Sequence, residues 1–142
     1  MNAKLQDIYS NYLNQTEEER IAVAQKATAA IAGFFSESGL TQKESLNFYI
    51  NIVRLFVSAD RRCSQQEVNL FNKILGVDYS YEDFFNLTNG GSNPEFVKAM
   101  DDIIDTMPEE PKIAVCVLGL TLLAADGELK ESEIDIFERI LE

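Results

Sequence analysis

The stretch 122–141, LLAADGELKESEIDIFERIL, contains the change of pattern that decides the fold. An apolar run ends at Asp126, and an acidic amphipathic segment begins within a few residues. In that second segment Phe137, Ile140 and Leu141 recur at helical spacing, which predicts a helix with one face turned towards a core. The stretch therefore predicts a buried helix, a tight turn and an amphipathic helix.

The same pattern occurs earlier in the chain, in residues 56–75, FVSADRRCSQQEVNLFNKIL, which align with 122–141 without a gap. The identical pairs are Ala59 and Ala125, Asp60 and Asp126, Glu67 and Glu133, Phe71 and Phe137, Ile74 and Ile140, and Leu75 and Leu141. Two helix pairs that each expose an apolar face are expected to pack on one another about a pseudo-twofold axis. We therefore predict one domain over residues 1–142, built from a duplicated helix-turn-helix pair, with residues 1–16 as a helical extension.

The remaining segments also favour helices, because no run alternates apolar and polar residues as a strand does. Three segments, 16–19, 41–44 and 64–67, have the Ser/Thr-x-x-Glu form of a capping box at a helix start. Gly39 and Gly76 follow periodic runs, where a left-handed helix end is expected. The fold class predicted is an all-α, compact bundle of about seven or eight helices. The predicted helices span residues 2–14, 17–37, 42–58, 65–75, 80–87, 94–106, 110–125 and 131–141.

Both copies of the repeat resemble the signature of the TerB-like family, the tellurite-resistance-associated all-helical domain. The resemblance is carried by LLAADGELKESEIDIFERIL and VSADRRCSQQEVNLFNKILG, and it covers roughly residues 20–142. It implies a compact bundle of duplicated helix pairs, acidic turn residues suggested to bind metal, and an association with stress resistance. The chain departs from the pattern at Arg61, where the turn glycine is expected, and at Lys130, which replaces the helix-capping Ser64 of the first copy.

The four acidic residues of the two turns have two interpretations. As structural residues, Asp60 and Asp126 bond backbone N–H groups in turns, while Glu67 and Glu133 stabilise helix starts. We favour this interpretation because such polar groups are usually satisfied locally. As ligands, the same carboxylates would bind calcium or magnesium weakly. Asp126 and Glu133 are the first candidates for this role, followed by Asp60 and Glu67.

The residues that support common enzyme chemistry are missing from the sequence. There is no histidine, and the two cysteines, Cys63 and Cys116, form no CxxC pair. This excludes imidazole metal sites, Ser-His and Cys-His nucleophiles, and a structural zinc site. We therefore predict no enzyme activity, no catalytic residues and no cofactor apart from calcium or magnesium in the second interpretation. A metal-dependent hydrolase that uses paired carboxylates is the third and least favoured alternative.

The sequence also predicts a cytoplasmic protein without membrane insertion. The longest uncharged apolar run, 113–125, is shorter than the ~20 residues of a membrane-spanning helix, so we expect a buried core helix. The N-terminus lacks the basic head and apolar centre of a secretory signal. The two cysteines, interpreted as reduced thiols, also fit a cytoplasmic location.

The net charge of −12 at pH 7 lies entirely in the second half of the chain. Residues 1–75 contain eight acidic and eight basic residues, whereas residues 76–142 contain sixteen acidic and four basic residues. Nucleic-acid binding is therefore not expected, because phosphate requires a basic face. A solvated surface is the favoured interpretation of this charge, and a surface that binds cations or a basic protein partner is the alternative.

Two groups of residues in the acidic half are candidates for contact with a partner. The first is the acidic cluster Asp101, Asp102, Asp105, Glu109 and Glu110, for which a solvated face is favoured. The second is the aromatic set Tyr79, Tyr81, Phe84 and Phe85, which forms either a core edge or a partner groove. We therefore predict a non-enzymatic cytoplasmic interaction module of the TerB-like type.

Overall fold

A computed structural model describes residues 2–59, 64–89, 93–124 and 129–141, and these residues form eight helices and no strand. The helices are α1 (Ala3–Leu13), α2 (Glu17–Glu37), α3 (Gln42–Ala59), α4 (Gln65–Leu75), α5 (Tyr81–Thr88), α6 (Pro94–Asp105), α7 (Glu109–Leu123) and α8 (Glu131–Leu141). The all-α prediction is confirmed, and every helix end lies within two residues of its predicted position.

The starts of α2 and α3 follow the predicted capping chemistry. At α2 the Glu19 N–H donates to Thr16 Oγ1 at 3.2 Å, and the Thr16 N–H donates to Glu19 Oε1 at 3.0 Å. Thr41 and Glu44 form the same reciprocal pair at α3, with the same two distances. Each box satisfies backbone donors that the first turn of a helix leaves without an intrahelical acceptor.

We expect the two capping boxes to make the starts of α2 and α3 sensitive to acid. The hydrogen bond from the Thr16 backbone holds the pKa of Glu19 below its ordinary value of 4.5, and the Thr41 backbone does the same to the pKa of Glu44. Because these folded-state pKa values are depressed, the ionised boxes add stability above pH 4.5, and that stability is lost as the pH falls through the lower folded-state values.

The measurement is a pH titration of the glutamate side-chain carboxyl carbons by NMR. The midpoints for Glu19 and Glu44 should both lie below 4.5. The Thr16→Ala variant should raise the midpoint of Glu19 and leave that of Glu44 unchanged, because only one box loses its hydroxyl. A Glu19 midpoint at or above 4.5 in the unmodified protein would contradict this account.

Other helix ends are also determined by local sequence. The Asn93 side chain accepts a hydrogen bond from the Glu95 N–H at 2.9 Å, and Pro94 occupies the first position of α6, where no N–H is needed. After α2 and α4 the chain turns at Gly39 and Gly76, whose φ angles of 86° and 67° lie in the left-handed region. Glycine adopts this conformation without the steric cost of a side chain.

Helix α7 is the central helix of the bundle. It packs on α1, α2, α3, α4 and α8, and its side chains from Ala114 to Cys116 and from Leu118 to Leu123 are buried. The prediction that the apolar run 113–125 forms a buried core helix is confirmed over its described part. In the described parts of the chain, no helix combines the length and the apolar character required to cross a membrane.

The N-terminal extension packs against the rest of the bundle. Helix α1 contacts α7 and α8, and it buries Leu5 and Tyr12 in the same apolar cluster as the other helices. The backbone N–H of Asn2 donates to Glu138 Oε2 at 2.7 Å, which joins the two ends of the described chain.

The second helix of each sequence repeat contacts the first helix of the other. Helix α4 packs on α7, and α8 packs on both α3 and α7. Phe137 of α8 stacks on Phe56 of α3 with their ring centroids 5.3 Å apart. The turns at 60–63 and 125–128 lie outside the described residues, so the duplication of complete helix-turn-helix pairs stays a prediction.

Candidate functional site

Glu67 and Glu133, the glutamates at equivalent positions of the two repeats, are both buried in the structure. They lie in the first turns of α4 and α8, with 0% and 1% of each residue exposed. The Ser64 hydroxyl accepts from the Glu67 N–H at 3.1 Å and donates to Glu67 Oε1 at 3.2 Å. Sequence reasoning assigned these glutamates to helix starts, but it did not predict that both carboxyl groups are withdrawn from solvent.

The predicted metal site can be located only in part. Asp60 and Asp126, which are its other two candidate ligands, lie outside the described residues. Within the ranges that the structure describes, no three acidic or cysteine side chains are grouped so that they could hold a metal ion. The site formed by Asp60, Glu67, Asp126 and Glu133 therefore stays a prediction.

The predicted acidic cluster around the end of α6 is partly neutralised by basic side chains. Its ion pairs are Arg139 Nε to Asp101 Oδ2 at 3.3 Å, Lys98 Nζ to Asp102 Oδ2 at 3.2 Å, and Lys4 Nζ to Glu109 Oε1 at 3.1 Å. Burial raises the pKa of Asp101, an effect that Arg139 opposes and Asp105 reinforces. These contacts fit the interpretation of the cluster as a solvated, ion-paired face.

A second surface of the acidic half exposes apolar side chains. Six large hydrophobic residues are exposed among the described residues, and four of them lie between residues 77 and 85. These four, which we call the aromatic surface, are Val77, Tyr79, Tyr81 and Phe85. Each is between 38% and 44% exposed, whereas Phe84 is fully buried. The aromatic set of the sequence therefore divides, with Phe84 in the core and the other three at the surface.

Contacts with α4 and within α5 hold the aromatic surface in one conformation. The Tyr79 N–H donates to Asn72 Oδ1 at 3.0 Å, and Asn72 Nδ2 donates back to the Tyr79 carbonyl at 2.9 Å. The Tyr79 ring stacks on the buried Phe71 ring at 5.9 Å. Tyr81 and Phe85 stack on each other at 6.4 Å with an interplanar angle of 12°. The surface is therefore preorganised rather than assembled from free loops.

The charged residues within the segment 77–85 are all acidic. Asp78, Glu82 and Asp83 alternate with its apolar members, and all three residues are exposed. The sequence has no lysine or arginine between Lys73 and Lys98. In the described part of the chain, none of these three carboxylates forms an ion pair, in contrast to the acidic cluster at the end of α6.

No family model, no curated protein and no solved structure matches this chain. The similarity to the TerB-like family, which the repeat suggests, stays a prediction.

Proposed function

We propose that the protein is a non-enzymatic interaction module that binds a basic segment of a partner protein through the aromatic surface. The observation that carries this proposal is the concentration of exposed apolar side chains between residues 77 and 85, interspersed with carboxylates. Tyrosine and phenylalanine are enriched at protein interfaces, and they contribute large contact area at a small entropic cost.

Charge complementarity determines the chemistry of the partner. Arginine side chains pack against aromatic faces through cation–π contacts and pair with neighbouring carboxylates. The aromatic surface presents Tyr79, Tyr81 and Phe85 beside the carboxylates of Asp78 and Glu82, so an arginine-containing segment with apolar residues fits both features. The held conformation of Tyr79 lowers the cost of ordering this surface on binding.

The same proposal includes the finer assignments made from the sequence. The repeat of residues 56–75 in 122–141 supports membership of the TerB-like family and, through it, a role associated with stress. The cysteine usage supports a cytoplasmic location. In the sequence, the aromatic surface lies between the two copies of this repeat. Binding through it therefore does not depend on whether the turns of the repeat bind metal.

Binding is tested by titration calorimetry with short synthetic peptides in which arginine and leucine alternate. We expect saturable binding that weakens with added salt, because the carboxylates contribute by electrostatic attraction. Replacing the arginines of the peptide with glutamate should abolish binding. The double variant Tyr81→Ser and Phe85→Ser should weaken binding at least about tenfold, the loss typical of aromatic residues at the centre of an interface.

A matched control uses exposed leucines elsewhere on the molecule. Leu13 and Leu46 are 58% and 55% exposed, more than any member of the aromatic surface. The double variant Leu13→Ser and Leu46→Ser should bind the arginine peptide like the unmodified protein. Equal affinity of the Tyr81/Phe85 variant and the unmodified protein, or equal losses in both double variants, would refute the proposed surface.

Weak binding of calcium or magnesium is the alternative proposal. Its support is the occurrence of Glu67 and Glu133 at equivalent positions of the two repeats, each seven residues after an aspartate, because carboxylate oxygens are the ligands that these cations prefer. The test is calorimetric titration of the chelator-treated protein with each cation. A saturable heat of binding that is lost in the Asp126→Asn variant would support a cation site. If no heat is detected and the variant is only less stable than the unmodified protein, the acidic residues have structural roles only.

A further inference from the structure

A cavity of about 380 Å³ lies between the start of α2, the exposed face of α4 and the end of α7. Its polar lining includes Arg20, Asn69, Lys73 and Thr121, and the Tyr12 ring forms part of its wall. The volume falls in the range of sites that hold small molecules. Its described lining residues include no member of the aromatic surface and neither Glu67 nor Glu133, while Asp60 and Asp126 lie outside the described residues.

Arg20 is held in place beside this cavity by interactions that leave its terminal amino groups available. Its Nε donates to the Tyr12 carbonyl at 2.9 Å, and its guanidinium carbon lies 3.9 Å from the centroid of the Tyr12 ring. Among the described residues, no carboxylate pairs with Arg20, and its two terminal nitrogens donate no hydrogen bond. A preorganised guanidinium of this kind is suited to bidentate binding of a carboxylate.

Among the described residues of the lining, the charged side chains leave an excess of one positive charge. Lys73 Nζ pairs with Glu17 Oε1 at 3.3 Å, and both residues line the cavity, so their charges offset each other. The charge of Arg20 then remains, in a protein whose net charge is −12. One negative charge on a ligand would balance it. Asn69 Nδ2 can donate to a polar ligand body, and the Thr121 hydroxyl, which itself donates to the Val117 carbonyl, can accept from it.

We propose that this cavity is a binding site for a small monocarboxylic acid, with the carboxylate on Arg20 and the body of the ligand against Asn69, Thr121 and the Tyr12 ring. Leu70 and Ala124 add an apolar wall, so a ligand with a short apolar or aromatic body is favoured over a compact inorganic anion. The site is independent of the peptide-binding function proposed above.

The experiment is an NMR titration of the isotope-labelled protein with benzoate, with its neutral analogue benzamide and with inorganic phosphate, at constant ionic strength. We expect benzoate to shift the amide resonances of residues around Asn69 and Thr121 in a saturable manner. Benzamide and phosphate should give no saturable shifts at these residues. The Arg20→Gln variant should weaken benzoate binding at least about tenfold, the loss expected when a charge-assisted hydrogen bond is removed.

Two further variants make the test independent of the structural role of Arg20. Asn69 is exposed on α4, and Asn69→Leu should reduce benzoate binding by filling the cavity without removing a buried group. Lys26→Gln removes an exposed positive charge from α2 outside the lining and should leave binding unchanged. The proposal is overturned by the absence of saturable benzoate shifts, by equal binding of benzamide or phosphate, or by benzoate binding that survives both Arg20→Gln and Asn69→Leu.

Discussion

The Phe137→Ala variant is expected to lose about 3–5 kcal/mol of unfolding free energy, the range measured when buried phenylalanines are truncated. Phe137 is fully buried, and its ring stacks on Phe56, so the substitution leaves a cavity where α8 meets α3. Small proteins have a total stability of only about 5–15 kcal/mol, so the loss is a large share of it. Urea denaturation followed by circular dichroism measures the change.

Phe85→Ala provides the matched control, because the chemical change is the same but the side chain is 44% exposed on the aromatic surface. It should cost less than about 1 kcal/mol, as substitutions outside a core usually do. The contrast between the two variants measures burial rather than the loss of a phenyl ring in general. Similar losses in both variants would contradict the assignment of Phe137 to the core and of Phe85 to the surface.

The helices of this protein could be predicted because their boundaries depend on neighbours in the sequence. Thr16 and Thr41 cap helices through residues three positions away, and Gly76 ends α4 through its own backbone conformation. The inward orientation of Phe71 and Phe137 followed from helical spacing alone. Such local information is fully present in a single sequence.

The candidate sites could be predicted only in part, because they depend on contacts between distant segments. Phe84 and Phe85 are adjacent in sequence, yet one is buried against Phe71 and the other is exposed, and that choice depends on how α5 packs against α4. The cavity beside Arg20 requires side chains from α2, α4 and α7, so no local pattern marks it. The burial of Glu133 likewise depends on packing rather than on its position near a helix start.

Gly119→Ala is expected to destabilise the protein, although alanine is the better helix former. A Cβ atom at this position in α7 would lie 2.5 Å from two carbon atoms of the Phe56 ring. That ring is fully buried and stacked on Phe137, so it has no free space into which to move. Overpacking of this kind costs about 1–3 kcal/mol. Replacing glycine with alanine inside a helix gains about 1 kcal/mol, so all but the smallest overpacking costs exceed this gain.

Gly33→Ala is the matched substitution, at an exposed position near the end of α2, where a Cβ atom would meet nothing within 4 Å. It should stabilise the protein by up to about 1 kcal/mol, so the two variants should differ by the overpacking cost of about 1–3 kcal/mol in urea denaturation. Adding Phe56→Leu to Gly119→Ala should recover part of the loss, because the shorter side chain removes the ring atoms that crowd the new methyl group. A stabilising Gly119→Ala variant would show that α3 and α7 do not approach as closely as Phe56 and Gly119 require, and it would also undermine the stacking on which the Phe137 prediction depends.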